Sequence, residues 1–339
     1  MGLIITPEVI ADHACVCGEN PLWHPDEKRL YWTDAPGFGM YRWEPAVGSR
    51  QSAVGQRGKG RGAAAPSPVA GATSSPVKGE ERIGTGVRLP GVSERVLEGK
   101  YVGGFTFQED GSLLLFMDKG AIARWKDGKL TYLYESLPGE ENAGFNDVIA
   151  DPAGRVFAGT VGSSPTQRIL GHGNLYRLDT DGSIHKVART VKCSNGLAFT
   201  ADLKTMCYTD SYAYTIWAFD YDVDTGAISN QRPFITNTPE TGYMDGMTID
   251  EEGFIWSARW DDWALYRYTP DGREAMRIKF PAKQMTSVIF GGDDLTDMFL
   301  TSAGGHQKPG TGPMAGATFR LNLGIKGREE YRSRIRIVN

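Results

Sequence analysis

The chain has 339 residues and a formal net charge of −4 at pH 7. This mildly acidic balance argues against a nucleic-acid partner, and no apolar run reaches the roughly eighteen residues of a membrane span. Aromatic residues at 11% and 43 glycines are more typical of many short strands and turns than of a helical bundle.

The N-terminal residues 1–8 lack a basic region followed by an apolar core. We therefore expect no secretory signal and a cytoplasmic location. Four cysteines are too few and too scattered for a disulfide framework, so they are predicted to be reduced, structural thiols. They are Cys15, Cys17, Cys193 and Cys207.

A unit of two strand-like segments recurs six times along the chain. The first, apolar segments are residues 30–34, 112–116, 155–158, 206–210, 254–257 and 298–302. The second segments alternate apolar and polar residues, as half-buried strands do, and are residues 40–43, 122–125, 175–178, 216–219, 265–268 and 318–321. Most units begin roughly 40 to 50 residues apart, which is typical of a propeller blade with about four strands. The pattern predicts an all-β, six-bladed β-propeller, with residues 1–339 forming a single domain.

One interval between units is too long, and it contains residues 48–91, rich in Gly, Ala, Pro and Ser. We interpret 48–91 as a flexible, low-complexity insertion in the first blade. Residues 56–62, Gln-Arg-Gly-Lys-Gly-Arg-Gly, are similar to a basic nucleic-acid tether. No aromatic residues interleave these charges, which favours a solvated linker.

A further segment precedes each apolar strand at the same phase of the repeat. If these segments begin the innermost strands, which line the central channel of a propeller, their side chains converge at one channel mouth. Four polar residues would then meet there: Glu19, Asn146, Asn195 and Asp245. Each alone is also an ordinary turn or loop residue, so the shared phase is the observation that favours a site.

These four residues offer only oxygen donors and carry two negative charges. Oxygen-only sites suit hard divalent cations such as Ca²⁺, Mg²⁺ or Mn²⁺, and a cation would offset the cost of burying two carboxylates together.

Other chemistries have less support. The five histidines are isolated in sequence and no Gly-x-Ser-x-Gly motif occurs, which argues against a Ser-His triad. Trp260 and Trp263 are either pocket walls or structural aromatic residues.

Five short segments together resemble the senescence marker protein / gluconolactonase / luciferin-regenerating enzyme family, whose members are six-bladed propellers. The segments are residues 18–23, 30–34, 146–155, 194–198 and 244–247. Their order and spacing extend the resemblance over nearly the whole chain except 48–91. The resemblance implies one divalent metal ion, with Ca²⁺ ranked before Zn²⁺, Mn²⁺ or Mg²⁺. It implies that Glu19, Asn195 and Asp245 bind the metal and that Asn146 contacts substrate or lies beside the metal.

The chain departs from the family at one position. Lactonases of this family often have Arg two residues before the Asn-Asp pair, where it helps to hold a sugar-acid lactone. Here that position is Gly144. The absence of this arginine weakens the expectation of a sugar-acid lactone substrate more than the expectation of a metal site.

The leading hypothesis is a metal-dependent lactone hydrolase acting on a small-molecule, sugar-derived lactone, with Asp245 as the general base that activates water. One alternative is a calcium-binding or scaffold propeller with no turnover. The other is a hydrolase of phosphotriesters or other esters. No nucleic-acid or membrane partner is expected, and the sequence predicts no oligomeric state.

Overall fold

The computed structural model describes residues 7–46, 88–162 and 173–337. Within these ranges the chain forms 24 strands, which pair into six four-stranded antiparallel sheets. Each sheet is one blade, and its strands are numbered β1 to β24 along the chain. The prediction of an all-β, six-bladed propeller is confirmed.

Blades one to three are given from the innermost to the outermost strand: β2 (Gly18–His24), β3 (Arg29–Asp34), β4 (Gly39–Pro45) and β5 (Gly91–Glu98); β6 (Val102–Phe107), β7 (Leu113–Met117), β8 (Ile122–Lys126) and β9 (Lys129–Tyr134); β10 (Ala143–Ala150), β11 (Val156–Gly162), β12 (Gly173–Leu178) and β13 (Ile184–Val191).

Blades four to six follow in the same order: β14 (Ser194–Phe199), β15 (Thr205–Asp210), β16 (Thr215–Tyr221) and β17 (Ile228–Thr236); β18 (Tyr243–Ile249), β19 (Ile255–Trp260), β20 (Ala264–Tyr268) and β21 (Glu274–Lys279); β22 (Met285–Gly291), β23 (Asp297–Ser302), β24 (Ala317–Asn322) and β1 (Glu8–Asp12).

The predicted apolar and alternating segments are the second and third strands of each blade. The segments that precede them form the innermost strands β2, β6, β10, β14, β18 and β22, each of which contacts its neighbours around the axis. Several innermost strands are buried along their whole length, whereas the outer strand β17 is largely exposed. The core therefore lies between the inner strands of adjacent blades.

Every innermost strand pairs irregularly with the second strand of its blade. The register shifts lie between Glu19/Leu22, Val102/Gly104, Phe145/Val148, Ser194/Leu197, Met244/Met247 and Met285/Ser287. A β-bulge leaves residues outside the ladder and turns their side chains away from the regular alternation. Three predicted site residues, Asn146, Asn195 and Asp245, lie inside these bulges, and Glu19 begins a fourth.

The ends of the described chain close the ring. Strand β1 is the outer strand of blade six, and Arg320 on β24 forms ion pairs with Glu8 and Asp297. The C-terminal tail, residues 325–337, crosses the end of the channel where the inner strands finish. There the Ser333 amide donates to the Phe107 carbonyl at 2.8 Å, and the Arg334 amide donates to the Gly154 carbonyl at 2.8 Å.

Of the predicted insertion 48–91, residues 48–87 lie outside the described residues, and so does the basic segment 56–62. The Leu89 amide donates to the Val9 carbonyl at 2.9 Å, and Gly91 begins β5. The described helices are three short 3₁₀ turns, Ser211–Ala213, Pro239–Thr241 and Gly305–Gln307. In the described parts of the chain, no helix has the length and apolar character to cross a membrane.

A buried carboxylate holds the hairpin between the first two strands of blade five. Asp250 is fully buried and accepts hydrogen bonds from the Phe254 amide (2.9 Å), Trp256 Nε1 (2.9 Å) and Arg267 Nη2 (2.6 Å). Because all three donors bind one carboxylate, their hydrogen bonds offset the free-energy cost of burying its charge.

We expect Asp250→Ala to lower the free energy of unfolding by about 3–5 kcal/mol, because it leaves the buried Arg267 guanidinium without this partner. The matched control is Asp271→Ala, which removes an exposed pair with Arg273 and should change stability little. Urea unfolding of both variants measures the difference. Equal effects would contradict the role given to Asp250.

Candidate functional site

A cavity of about 300 Å³ opens at the channel mouth where the inner strands begin. Glu19, Asn195 and Asp245 line it, and these residues are 5%, 4% and 4% exposed. They come from blades one, four and five. Three of the four predicted site residues therefore share one pocket although they are far apart in sequence.

Asn146 lies beside this pocket and is not among its lining residues. The residue is 6% exposed, and its side-chain Nδ2 donates to the Ser194 carbonyl at 2.7 Å and to Asn195 Oδ1 at 3.0 Å. The amide group of Asn146 is thus held against the backbone and side chain of the neighbouring blade.

Hydrogen bonds connect the pocket residues across blades three, four and five. Beyond the bond from Asn146, Asn195 Nδ2 donates to Ser211 Oγ at 2.7 Å, and that hydroxyl donates to the Met244 carbonyl at 2.6 Å. Both ends of the Asn195 amide are therefore fixed. Its oxygen accepts one bond and keeps a second lone pair for a ligand. Because Met244 directly precedes Asp245, this series of hydrogen bonds also fixes the backbone next to Asp245.

Glu19 is positioned by a bracing carboxylate in blade one. Asp34, at the end of β3, accepts the Val16 amide at 3.0 Å and the Cys17 amide at 2.9 Å. These bonds hold the chain just before Glu19. The Cys17 thiol donates to Glu19 Oε1 with a separation of 3.5 Å.

Blade four repeats this arrangement at Asn195. Asp210, at the end of β15, accepts the Lys192 amide at 3.1 Å and the Cys193 amide at 3.0 Å. Burial raises the pKa of Asp210, and the backbone N–H groups oppose that rise. In both blades, a Thr-Asp pair at the end of the second strand holds a Cys that stands two residues before a pocket residue.

Aromatic and amide side chains form the pocket walls. Tyr243 stacks on Tyr214 with ring centroids 5.0 Å apart, and it meets Tyr212 edge to face at 5.3 Å. Tyr212, Tyr243, Trp260, Gln284 and His306 all line the cavity, whereas Trp263 is not among its lining residues. His306 is isolated from other histidines in sequence and no local motif marks it, because most of the residues that share its pocket come from distant parts of the chain.

Tyr101 covers the position at which the family often has Arg. A Cβ atom added at Gly144 would lie 3.0 Å from Tyr101 Cε1, and the Tyr101 hydroxyl donates to the Phe145 carbonyl at 3.0 Å. The ring therefore takes the space beside Gly144 that a longer side chain would need.

The donor set fits a hard cation. In the ranges the structure describes, no three His, Cys, Asp or Glu side chains form a metal-binding group. The pocket instead combines the carboxylates of Glu19 and Asp245 with the amide oxygen of Asn195, a set that Ca²⁺ or Mg²⁺ accepts. All four cysteines are buried, and none of them forms a disulfide in the part of the chain that the structure describes.

Comparison with known proteins agrees with this architecture. The family model described as the SMP-30/Gluconolactonase/LRE-like region matches residues 17–304. The chain belongs to this family. It is 36% identical over 335 residues to pentonolactonase XacC of Haloferax volcanii, covering 97% of this chain and 98% of that protein.

Two further relatives extend over most of the chain. Regucalcin of Gallus gallus is 32% identical over 321 residues, covering 93% of each chain. The structure of a luciferin-regenerating enzyme superposes with a TM-score of 0.75 at 25% identity, covering 97% of this chain and 100% of that one.

We expect Asp34→Ala to lower the free energy of unfolding by about 1–3 kcal/mol, because the buried Cys17 amide loses its acceptor. The matched control is Asp12→Ala, which removes an exposed hydrogen bond from the Ala14 amide and a partly exposed ion pair with Lys308 and should cost less. Urea unfolding gives both values. A loss for Asp34→Ala no larger than for Asp12→Ala would show that this brace does not hold the chain before Glu19.

Proposed function

We propose that the protein is a metal-dependent hydrolase that opens a small, sugar-derived lactone in the channel-mouth pocket. The observation that carries this proposal is the convergence of Glu19, Asn195 and Asp245 in one cavity of about 300 Å³. Membership of the family and the likeness to a pentonolactonase support the choice of a lactone as substrate.

Glu19, Asn195 and Asp245 would hold one divalent cation. Ca²⁺ is our first choice because it accepts carboxylate and amide oxygens in flexible geometry, with Zn²⁺, Mn²⁺ or Mg²⁺ as alternatives. When bound, such an ion supplies Lewis acidity toward the lactone carbonyl oxygen.

Asp245 is the proposed general base. Its carboxylate takes a proton from a water molecule as the water oxygen attacks the lactone carbonyl carbon. The ring C–O bond then breaks, the ring oxygen leaves with a proton, and the product is a hydroxy acid. A neighbouring positive charge would favour the ionised form of Asp245, which a base requires.

Asn146 and Asn195 position the reacting groups. The bonds from Asn146 to Asn195 and from Asn195 to Ser211 hold both amides before substrate arrives. Groups held in place beforehand do not need to reorganise during the reaction, which is the physical basis of preorganised catalysis. Asn146 also serves as the proposed substrate contact at the edge of the pocket.

The pocket walls support a small substrate. A volume of about 300 Å³ is near the lower end for ligand pockets. Tyr212, Tyr243 and Trp260 provide apolar faces for a sugar ring, and Gln284 and His306 provide polar atoms for its hydroxyl groups. Gly144 stands where related lactonases often have the arginine that helps to hold a sugar-acid lactone, and Tyr101 takes the space beside it.

We expect lactone hydrolysis to stop in the presence of a chelator and to return when Ca²⁺ is added back. Asp245→Ala should lower kcat by roughly 10²–10⁴-fold or more, because it removes the proposed base and a metal ligand. Asp220→Ala, at an exposed ion pair, is the control and should keep full activity. The assay follows acid release from a panel of pentono- and hexonolactones.

Four outcomes would overturn the proposal. Chelator-insensitive turnover would remove the metal from the mechanism, and an active Asp245→Ala variant would remove the base. Metal binding with no hydrolysis of any lactone would favour the alternative of a non-catalytic calcium-binding propeller. Turnover of phosphotriesters or simple esters in place of lactones would favour a different hydrolase.

We expect Ser211→Ala to weaken Ca²⁺ affinity by roughly 10–100-fold, because Asn195 then loses the acceptor that orients its amide. Ser183→Ala removes an exposed hydroxyl bonded to Asp181 and is the matched control. Isothermal titration calorimetry measures both dissociation constants. Unchanged affinity in Ser211→Ala would show that this hydrogen-bond chain does not support the metal site.

A further inference from the structure

A second cavity, of about 320 Å³, lies between blades one and six at the end of the propeller where the inner strands finish. Trp23, near the end of β2, and Gly292, just after β22, line it, and so do Leu89 and Pro90. The cavity shares no lining residue with the channel-mouth pocket. Its volume suits a small molecule, and the proposed reaction makes no use of it.

Aromatic rings form one wall of this cavity. Trp23 stacks on Phe299 with ring centroids 5.3 Å apart and an angle of 8° between the planes, and Trp43 meets Phe299 at 6.0 Å. Phe299 and Trp43 are buried, whereas Trp23 is half-buried. Trp23 is therefore the ring with surface left for a ligand, and an indole face is the best aromatic partner for a cation.

Asp297 brings a partly buried carboxylate to the same cavity. Its side chain is 17% exposed, and Oδ1 accepts hydrogen bonds from Arg320 Nη2 at 2.6 Å and from Asn322 Nδ2 at 2.8 Å. Among the described residues, no group donates to Oδ2. Because a desolvated carboxylate oxygen without a donor costs free energy, Oδ2 favours a ligand that donates.

Trp23 and Asp297 are close enough for one small molecule to touch both. A Cβ atom added at Gly291 would lie 2.6 Å from Trp23 Cγ, and one added at Gly292 would lie 2.9 Å from Asp297 Oδ2. The ring and the carboxylate therefore lie against consecutive residues. Phe299, on which Trp23 stacks, is also two residues from Asp297 on β23, and residues with that spacing face the same side of a strand.

Negative charge is in excess around the cavity. Arg320 is shared by two carboxylates, Glu8 at 3.0 Å and Asp297 at 2.6 Å. Asp294 also lines the cavity and forms no ion pair with a described residue, whereas Asp293 has a lysine partner. Over the described residues this balance favours a cationic ligand over a sugar acid or another anion.

Asp294 alone would not identify a site, because it forms an ordinary turn. Its Oδ1 accepts the Thr296 amide at 3.1 Å and the Thr296 hydroxyl at 2.8 Å. Asp181 accepts the same two bonds from Ser183 in blade three. The features that point to a ligand are the aromatic wall and Asp297 Oδ2.

We propose that this cavity binds a small organic cation, with its ammonium group at Asp297 Oδ2 and its apolar body against Trp23. A carboxylate accepts a charge-assisted hydrogen bond from an ammonium group, and a cation near an indole ring is attracted to the ring face. Leu89 and Pro90 add apolar contact area for the body of the ligand. The site is independent of the proposed hydrolase activity.

The test is calorimetric titration of the full-length protein with phenethylamine at about 0.15 M salt, where exposed charges are largely screened. One phenethylamine should bind per chain. Phenethyl alcohol has the same body without the charge and should bind roughly 10-fold or more weakly. The anion 3-phenylpropionate should show no saturable binding.

Asp297→Asn keeps an oxygen for Arg320 and Asn322 but removes the carboxylate from the cavity. It should weaken phenethylamine binding by roughly 10–100-fold, because a hydrogen bond between charged groups is lost. Asp179→Asn is the matched control and should bind like the wild type. Asp179 is 22% exposed and pairs with Arg177 in blade three, away from this cavity.

Trp23→Leu is a second variant, which removes the ring face and should weaken binding by roughly 2–30-fold. Thermal unfolding checks that each variant folds, and if Asp297→Asn does not fold, Trp23→Leu decides. The inference is overturned if phenethylamine shows no saturable binding, if phenethyl alcohol binds as tightly, or if either folded variant keeps the wild-type affinity. Loss of binding in Asp245→Ala would place the amine at the channel mouth and would also overturn it.

Discussion

The structure depends on six bulged strands that meet around one axis. A regular inner strand would send alternate side chains into the core on either side, whereas a bulge releases residues from the ladder and turns them toward the channel. The sequence repeat places these bulges at equivalent positions along the channel axis. Polar residues from blades far apart in sequence therefore reach one mouth of the channel, while the apolar inner strands between blades provide the core.

The mouth is held by groups that are not themselves proposed metal ligands. Asp34 and Asp210 fix the chain before Glu19 and Asn195 with paired backbone hydrogen bonds. Asn146 and Ser211 fix the Asn195 amide from both sides. Such bracing keeps oxygen donors in place against their mutual repulsion, which is what a site must do before a cation arrives.

The fold could be predicted because six matched strand pairs leave few architectures open. The shared phase selected Glu19, Asn146, Asn195 and Asp245, and three of these four residues line one cavity. Other features could not be foreseen. Nothing in sequence shows that the Asn146 amide nitrogen donates to Ser194 and Asn195, since this depends on the bulge geometry of two blades. His306 and Tyr101 reach the site or its edge through loops and side-chain packing that have no local signature. The pairing of β1 with β24 depends on closure of the whole ring.

The central claim is that the inner-strand bulges deliver Glu19, Asn195 and Asp245 to one divalent ion at the channel mouth. Anomalous diffraction from crystals soaked in Mn²⁺, which has oxygen-ligand preferences close to those of Ca²⁺ and Mg²⁺, tests this most directly. The account predicts an anomalous peak in contact with oxygen atoms of all three side chains. A map with no peak at the mouth, or with a peak there that touches none of the three, would contradict it.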